Sequence, residues 1–155
     1  MNTGFGVIEA GPARRYRVLK FGVIRPPRTA PLDQRLLVIH RELSSVIAEY
    51  RPARVAIESI FQARNVKSAL TLGHARAAAL LAAATAAVPL SSFPPSTVKA
   101  HVSGYGLADK QQVSWMVSRI LGLGADLTPG DAADALALAL CGADLGPAAD
   151  LAPAS

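Results

Sequence analysis

The sequence predicts an α/β domain with a mixed sheet, and three observations support this fold class. Two apolar runs, 5–8 and 16–24, flank the turn residues Gly11 and Pro12, which predicts an antiparallel hairpin. After the hairpin, segments with helical spacing alternate with short apolar runs, a pattern typical of helices packed on a sheet. The run 55–57 has no polar break, as expected for a strand that is buried on both faces.

The remaining elements follow from spacing and from helix-ending residues. Apolar residues at helical spacing predict a helix from Pro31 to about Tyr50, which Pro52 ends. The Ala- and Leu-rich segment 65–87 predicts a long helix, and 88–93 predicts a strand bounded by prolines. A short helix over 96–102, a helix capped by Asp109 that runs to Leu121, and a last helix that opens at Asp131 complete the pattern.

Length and composition predict a single soluble domain. The chain has 155 residues, about half of them apolar, which is ample for one core. We found no uninterrupted apolar run of membrane-spanning length and no signal-peptide pattern. Cys141 is the single cysteine, so an internal disulfide is excluded. We therefore expect a cytoplasmic protein with a folded domain over 1–141 and a disordered tail over 142–155.

Charge is distributed unevenly along the chain. All 16 Lys and Arg residues lie in the first 120 positions with only 6 acids, whereas residues 121–155 hold 5 acids and no Lys or Arg. A basic body with a pI near 9.9 suits a polyanionic partner such as nucleic acid. Ordinary solubility charge is the alternative, and charge alone does not decide between them.

Three carboxylates placed against apolar segments indicate a metal site. Asp131 and Asp134 are one turn apart on the same face of the last helix, where unpaired they would repel each other. Glu58 ends the buried run 55–57. Mg²⁺ prefers oxygen ligands and keeps several waters, so few carboxylates suffice to bind it. Alternatively, Asp131 belongs to a helix cap that begins at Thr128, and Glu58 reaches solvent from a strand end.

Basic and aromatic residues suggest contacts with nucleic acid. Phe61 lies near Arg64 and Lys67, and an aromatic ring among basic residues can stack on an unpaired base. Lys99 and Lys110 flank the loop 104–106, where each could hold a phosphate. The alternatives are a core phenylalanine and solvated lysines. The three histidines show no metal-ligand spacing, and Cys141 lacks the context of a nucleophile, so we interpret them as structural.

Several segments together resemble the bacterial Holliday-junction resolvases of the RuvC family. They occur in the family's order and span nearly the whole chain. The matching segments are 2–8 (Asn-Thr-Gly-Phe-Gly-Val-Ile), 56–61 (Ala-Ile-Glu-Ser-Ile-Phe), Asn65 with 68–76 (Ser-Ala-Leu-Thr-Leu-Gly-His-Ala-Arg), 109–113 (Asp-Lys-Gln-Gln-Val) and 131–137 (Asp-Ala-Ala-Asp-Ala-Leu-Ala).

The resemblance implies a ribonuclease-H-like fold with a five-stranded mixed sheet flanked by helices. It implies a homodimer that cuts opposed strands of a four-way DNA junction with Mg²⁺, two ions per subunit, for which Mn²⁺ can substitute. It also implies a branch-migration helicase complex as a partner. The residues that match the family's functional positions are Glu58, Asp131 and Asp134 as catalytic metal ligands, Phe61 as an aromatic that contacts bases, and Lys99 and Lys110 as basic residues near the scissile phosphate. Arg64, Lys67 and Arg76 are further predicted nucleic-acid contacts.

The chain departs from the family pattern at its beginning. The family opens with a strand ending in Gly-Ile-Asp-Pro-Gly, whose Asp is a metal ligand and which lies centrally in the sheet. The printed sequence begins after that point, at Met1. We therefore expect the central strand to be missing, and junction cleavage in Mg²⁺ to be poor or absent because a metal ligand is missing. A start codon assigned too late is the simplest explanation, and a truncated paralogue is the alternative.

The function predicted from the sequence is a structure-specific endonuclease that resolves four-way DNA junctions in recombination and repair. A catalytically impaired or non-catalytic junction-binding protein is one alternative, because the first metal-binding Asp is absent. A small-molecule enzyme that only shares the α/β fold is another. The first alternative predicts junction binding that does not depend on Glu58 or Asp134. The second predicts no affinity for branched DNA.

Overall fold

The computed structural model describes residues 1–59, 65–124, 127 and 130–146. Within these ranges there are four strands and five α-helices: after an initial hairpin, α1 and α2 alternate with β3 and β4, and three helices follow in succession. Their bounds are β1 Thr3–Ala10, β2 Tyr16–Ile24, α1 Leu32–Tyr50, β3 Val55–Glu58, α2 Val66–Thr85, β4 Leu90–Phe93, α3 Pro95–Ser103, α4 Lys110–Leu121 and α5 Asp131–Asp144.

The strands form two separate sheets rather than the predicted five-stranded sheet. β1 pairs antiparallel with β2, and β3 pairs parallel with β4. Within the described residues no strand lies between β1 and β3, so their neighbouring edges share no ladder. The five-stranded sheet of the family is therefore not matched: the described residues form four strands in two pairs that share no backbone ladder, and the central strand that was expected to be missing is not among them.

Local sequence explains where the helices begin and end. Asp109 caps α4 in a capping box with Gln112, and the Asn65 side chain accepts a hydrogen bond from the Ser68 amide at the start of α2. α1 ends where Arg51 adopts a left-handed conformation, φ 44°, directly before Pro52. The predicted capping arrangement ahead of α5 involves Thr128, which lies outside the described residues.

Helices cover both faces of the two sheets. On one face, α3, α4 and α5 pack with β4 around the largest apolar cluster, in which Phe93, Val117, Leu136 and Leu140 are almost completely buried. On the other face, α1 and α2 pack around Ile39 and Ile47 of α1 and the buried alanines of α2, which are Ala78, Ala82 and Ala83. Since α5 contacts both β1 and β3, it holds the two sheets in one layer.

Two predictions about the C-terminal part have different outcomes. Cys141 is a buried, free thiol in the main cluster, which confirms its packing role. Burial and the neighbouring Asp144 raise its pKa to about 12, so it carries no thiolate at neutral pH. α5 continues three residues past Cys141. The tail predicted for 142–155 falls largely on residues 147–155, outside the described residues, and stays a prediction.

Candidate active site

A groove of about 810 Å³ separates the two sheets. The strands β1 and β3 form its sides, α5 lines one wall, and α1 and α2 line the opposite wall. All three acids predicted from the sequence line this groove: Glu58, Asp131 and Asp134. Residues distant in the sequence therefore line one groove, and Glu58 and Asp134 lie close enough to interact electrostatically.

Glu58 is the last residue of β3 and lies at the open end of the groove. The groove walls desolvate its carboxyl, which raises its pKa, and the nearby negative charge of Asp134 raises it further. The positive charges of Lys110 and Lys99 act in the opposite direction. The pKa of Glu58 therefore depends on the charges of Asp134, Lys110 and Lys99, which means that the four side chains interact electrostatically.

Asp131 and Asp134 occupy the first turn of α5. The helix begins after Gly130, which makes no side-chain cap, and the Asp134 amide donates to the Gly130 carbonyl over 3.0 Å. Carboxylates are favourable at this end of a helix, since the unpaired amides there carry partial positive charge. Asp131 is exposed, whereas the Asp134 side chain is about half-exposed at 47%.

The backbones of β1 and α5 lie unusually close together, because β1 has glycines where it faces the helix. A Cβ atom on Gly4 would overlap the carbonyl oxygen of Asp131, and one on Gly6 would come within 2.7 Å of the Leu136 side chain. These glycines therefore fix the position of the α5 N-terminus, and with it the two aspartates. Sequence reasoning missed this role, although two small residues alternating within a strand were a usable signal.

Two lysines approach the acids from separate helices. Lys110 opens α4, and its Nζ atom donates to an Asp134 oxygen over 3.3 Å. The Lys110 side chain is 71% exposed, so this ion pair is weak and can exchange for a phosphate. Lys99 of α3 is close enough to affect the Glu58 carboxyl.

Arg76 has a structural role that the sequence did not reveal. Its guanidinium donates to the backbone carbonyl of Glu58 over 3.2 Å and to the Ser92 hydroxyl over 3.3 Å. It therefore ties α2 to the ends of β3 and β4 and positions Glu58. Lys67 is exposed in the first turn of α2. Phe61 and Arg64 lie outside the described residues, so their predicted contacts with nucleic acid stay predictions.

The carboxylates are suited in kind to a hard divalent cation, since each offers oxygen atoms only. Within the described ranges, however, no three His, Cys, Asp or Glu residues are arranged to hold one metal ion together. Glu58 and Asp134 are electrostatically coupled, and Asp131 lines the same groove on the adjoining turn. The three carboxylates therefore fit a metal ion in two respects: they offer oxygen ligands, and they line the same groove.

A second polar cluster lies at the far end of α5. Asp144 accepts hydrogen bonds from Arg14, over 2.8 Å, and from Tyr16, and it pairs with His101 Nε2 over 2.8 Å. Burial alone would raise the pKa of the Asp144 carboxyl, but these hydrogen bonds outweigh it and hold the pKa below its usual value. This cluster joins α5 to β2 and α3, and it confirms that His101 is structural.

Comparisons with known proteins agree with this geometry. A family model described as crossover junction endodeoxyribonuclease RuvC matches residues 1–142. A protein of that name from Acidobacterium capsulatum is 48% identical over 145 residues, which cover 90% of this chain and 85% of the relative. Its counterpart from Dehalococcoides mccartyi is 45% identical over 141 residues, which cover 91% of this chain and 85% of the relative.

Solved structures give the same result. RuvC of Thermus thermophilus in complex with a Holliday junction substrate matches with a TM-score of 0.83 and 37% identity, over 88% of this chain and 83% of that one. Another Thermus thermophilus RuvC structure matches with a TM-score of 0.83 and 36% identity, over 94% and 91% of the two chains. The fold is thus of the ribonuclease-H-like α/β type, and the chain belongs to the RuvC family of crossover junction endodeoxyribonucleases.

Proposed function

We propose that this chain is a structure-specific endonuclease that resolves four-way (Holliday) DNA junctions by nicking opposed strands. One observation carries the proposal: Glu58 and Asp134, remote in the sequence, interact electrostatically with each other and with Lys99 and Lys110, at a groove that Asp131 also lines. Family membership gives the reaction class, since these enzymes hydrolyse DNA. The catalytically impaired alternative is not favoured, because similarity to the endonucleases extends over nine-tenths of the chain.

Magnesium is the cation that we propose for the site. Glu58, Asp131 and Asp134 would hold it, and when bound it supplies a Lewis acid for phosphodiester hydrolysis. The groove keeps Glu58 at the end of β3, and Arg76 fixes the backbone there. The positive charge of Lys110 partly offsets the repulsion among the acids while no substrate is present.

Basic side chains around the acids would position the DNA backbone. Lys110 can leave Asp134 for a phosphate, since its exposed ion pair contributes little stability. Lys99 and Lys67 extend the positive surface on α3 and α2. We further propose that Phe61 stacks on an unpaired base at the crossover and that Arg64 contacts the backbone beside it. We also propose a cytoplasmic location, since DNA is the substrate of the proposed activity.

A homodimer would match the two-fold symmetry of the junction, and α2 supplies a suitable surface. An apolar stripe follows its exposed side at spacings of four, three, four, four and three residues. The α2 stripe consists of Val66, Leu70, Gly73, Ala77, Leu81 and Ala84. Leu81 is 60% exposed and Val66 76% exposed, so burying the stripe against a second copy removes apolar surface from water. A branch-migration helicase remains a partner that the family alone implies.

Cleavage of defined DNA substrates tests the proposal. The purified chain is incubated in Mg²⁺ with a synthetic four-way junction, and in parallel with a linear duplex that contains the same sequence. The proposal predicts nicks at symmetry-related positions in two opposed strands of the junction, with 5′-phosphate and 3′-hydroxyl ends. Equal cutting of the linear duplex, or no affinity for the junction at all, would contradict it.

A further inference from the structure

A smaller cavity lies on the outer side of α4, and none of its lining residues also lines the groove with the acids. Its volume is about 450 Å³, and it is formed by α4 and the loop 104–109 that leads into this helix. Its walls are mainly apolar. We call it the α4 pocket, and the residues that matter here are Tyr105 of the loop and Gln111, Gln112, Trp115 and Met116 of α4.

Two large aromatic rings of the α4 pocket are open to solvent. Trp115 and Tyr105 are each 59% exposed, although both carry extensive apolar surface. The packing of α4 on the core comes from its opposite face, where Val113, Val117 and Leu121 are buried. The fold therefore does not need the two rings. Exposed apolar side chains gathered around a concave surface are typical of a binding site.

The edge of the α4 pocket is positively charged. The Arg119 guanidinium lies over the Trp115 ring, 5.1 Å from its centroid, and it forms no ion pair within the parts of the chain that the structure describes. Lys110 begins the same helix and is 71% exposed. The adjacent acid, Asp109, accepts a hydrogen bond from the Gln112 amide over 2.8 Å as the helix cap. A ligand with carboxylates therefore complements this edge.

We propose that the α4 pocket docks a short acidic segment of a partner protein, with one apolar side chain between Tyr105 and Trp115 and a carboxylate on Arg119. Trp, Tyr and Arg are the residues that contribute most to protein–protein interfaces, and the flexible Met116 lets the pocket adapt to the inserted side chain. A nucleic-acid backbone fits less well, because the residues lining the pocket include no Lys or Arg to neutralise successive phosphates. This surface is independent of the proposed nuclease function.

Selection from a random peptide library identifies the ligand chemistry. Short peptides displayed on phage are selected on the full chain, with an excess of the soluble Trp115→Ala variant as competitor. We expect the selected peptides to combine more than one Asp or Glu with an apolar residue. Trp115 is the only tryptophan in the sequence, so binding should also shift the tryptophan emission to shorter wavelength. A selection that yields no peptide, or peptides rich in Lys and Arg, would overturn the proposal.

Charge changes on both partners test the pairing with Arg119. A synthetic copy of the selected peptide is compared with one in which Asn and Gln replace every Asp and Glu, and the uncharged copy should bind at least about tenfold more weakly. Arg119→Glu should weaken binding of the acidic peptide by a similar factor. The matched control is Arg41→Glu, the same charge change at an exposed position on α1, which should have less than about a twofold effect. Equal losses in the two variants would show that net charge, and not the pocket, attracts the peptide.

Nucleic acid is the competing occupant, and the same fluorescence signal decides against or for it. A single-stranded oligonucleotide that shifts the Trp115 emission at a lower concentration than the selected peptide would show that the pocket binds nucleic acid and that the proposal is wrong. The comparison of charged and uncharged peptides uses the unmodified chain, so it remains decisive even if a variant fails to fold. None of these measurements involves DNA cleavage, so their failure is distinguishable from failure of the proposed nuclease function.

Discussion

Two carboxyl groups in this protein have pKa values that their surroundings shift in opposite directions. Desolvation and the charge of Asp134 raise the pKa of Glu58, whereas hydrogen bonds from three partners lower the pKa of Asp144. The charged form of Glu58 therefore lowers the stability of the fold, and its carboxylate is available to bind a cation. The Asp144 carboxyl links three elements of the fold and has no part in the groove.

Replacing Glu58 should stabilise the metal-free protein at neutral pH. Its folded-state pKa is raised, so the charged form costs stability once the pH exceeds that value, and the cost vanishes below the unfolded pKa. Glu58→Gln should therefore raise the free energy of unfolding at pH 7 by up to about 1 kcal/mol, since the carboxyl keeps contact with solvent. Urea titrations at pH 7 and at pH 3 measure this difference.

The gain from Glu58→Gln should be absent at pH 3, where the wild-type carboxyl is protonated in both states. Glu42→Gln, at an exposed position on α1, is the control and should change stability little at either pH. Lower stability of Glu58→Gln than of the wild type at pH 7 would contradict the assigned cause of the shift.

Replacing Asp144 should have the opposite effect. Its folded-state pKa is lowered, so its contribution is present above the unfolded pKa and is lost as the pH falls through the folded value. Asp144→Asn should lower the free energy of unfolding at pH 7 by about 1–3 kcal/mol, because it weakens charge-assisted hydrogen bonds. The deficit should shrink as the pH falls below about 4. A deficit that is constant across this range would show that charge is not involved.

At the scale of elements, the sequence predicts most of what the structure contains. The apolar runs of β1 and β2 around a Gly-Pro turn, helical spacing over α1, and the Asp109 cap of α4 are local signals, and local signals specify local structure. Local signals do not specify which strands pair with which, because pairing joins residues far apart in sequence. The pairing of Lys110 with Asp134 depends likewise on how α4 packs on α5.

The contact between β1 and α5 is the element-scale feature on which the site depends. Gly4→Ala should displace the α5 N-terminus, because the added Cβ atom would overlap the Asp131 carbonyl. We expect a loss of about 1–3 kcal/mol in unfolding free energy, typical of overpacking, together with weaker cleavage. Thermal or urea unfolding measures the first effect.

Gly11→Ala is the matched control for Gly4→Ala. Gly11 lies in the exposed turn after β1, has a negative φ of −105°, and offers space for a Cβ atom. This variant should change stability by less than about 0.5 kcal/mol. Comparable stabilities of the two variants would show that the close approach of Gly4 to α5 does not matter.

At the scale of the whole molecule, a symmetric substrate calls for a symmetric enzyme, and the α2 stripe is the proposed interface. Leu81→Glu would place a charge in the stripe, so it should convert a dimer into monomers in sedimentation equilibrium. Leu107→Glu is the control, because Leu107 is even more exposed, at 78%, and lies outside α2. A dimer that survives Leu81→Glu would place the interface elsewhere.

The central claim is that the carboxylates at the end of the groove cut junction DNA, and single-turnover cleavage in Mg²⁺ tests it most directly. The wild-type chain should nick opposed strands, and Glu58→Gln and Asp134→Asn should each be at least about 100-fold slower, equivalent to about 2.7 kcal/mol. Junction affinity should be retained in both variants, and Asp33→Asn at an exposed position on α1 should cleave normally. Absence of nicking by the wild type, or full activity of either carboxylate variant, would contradict the account.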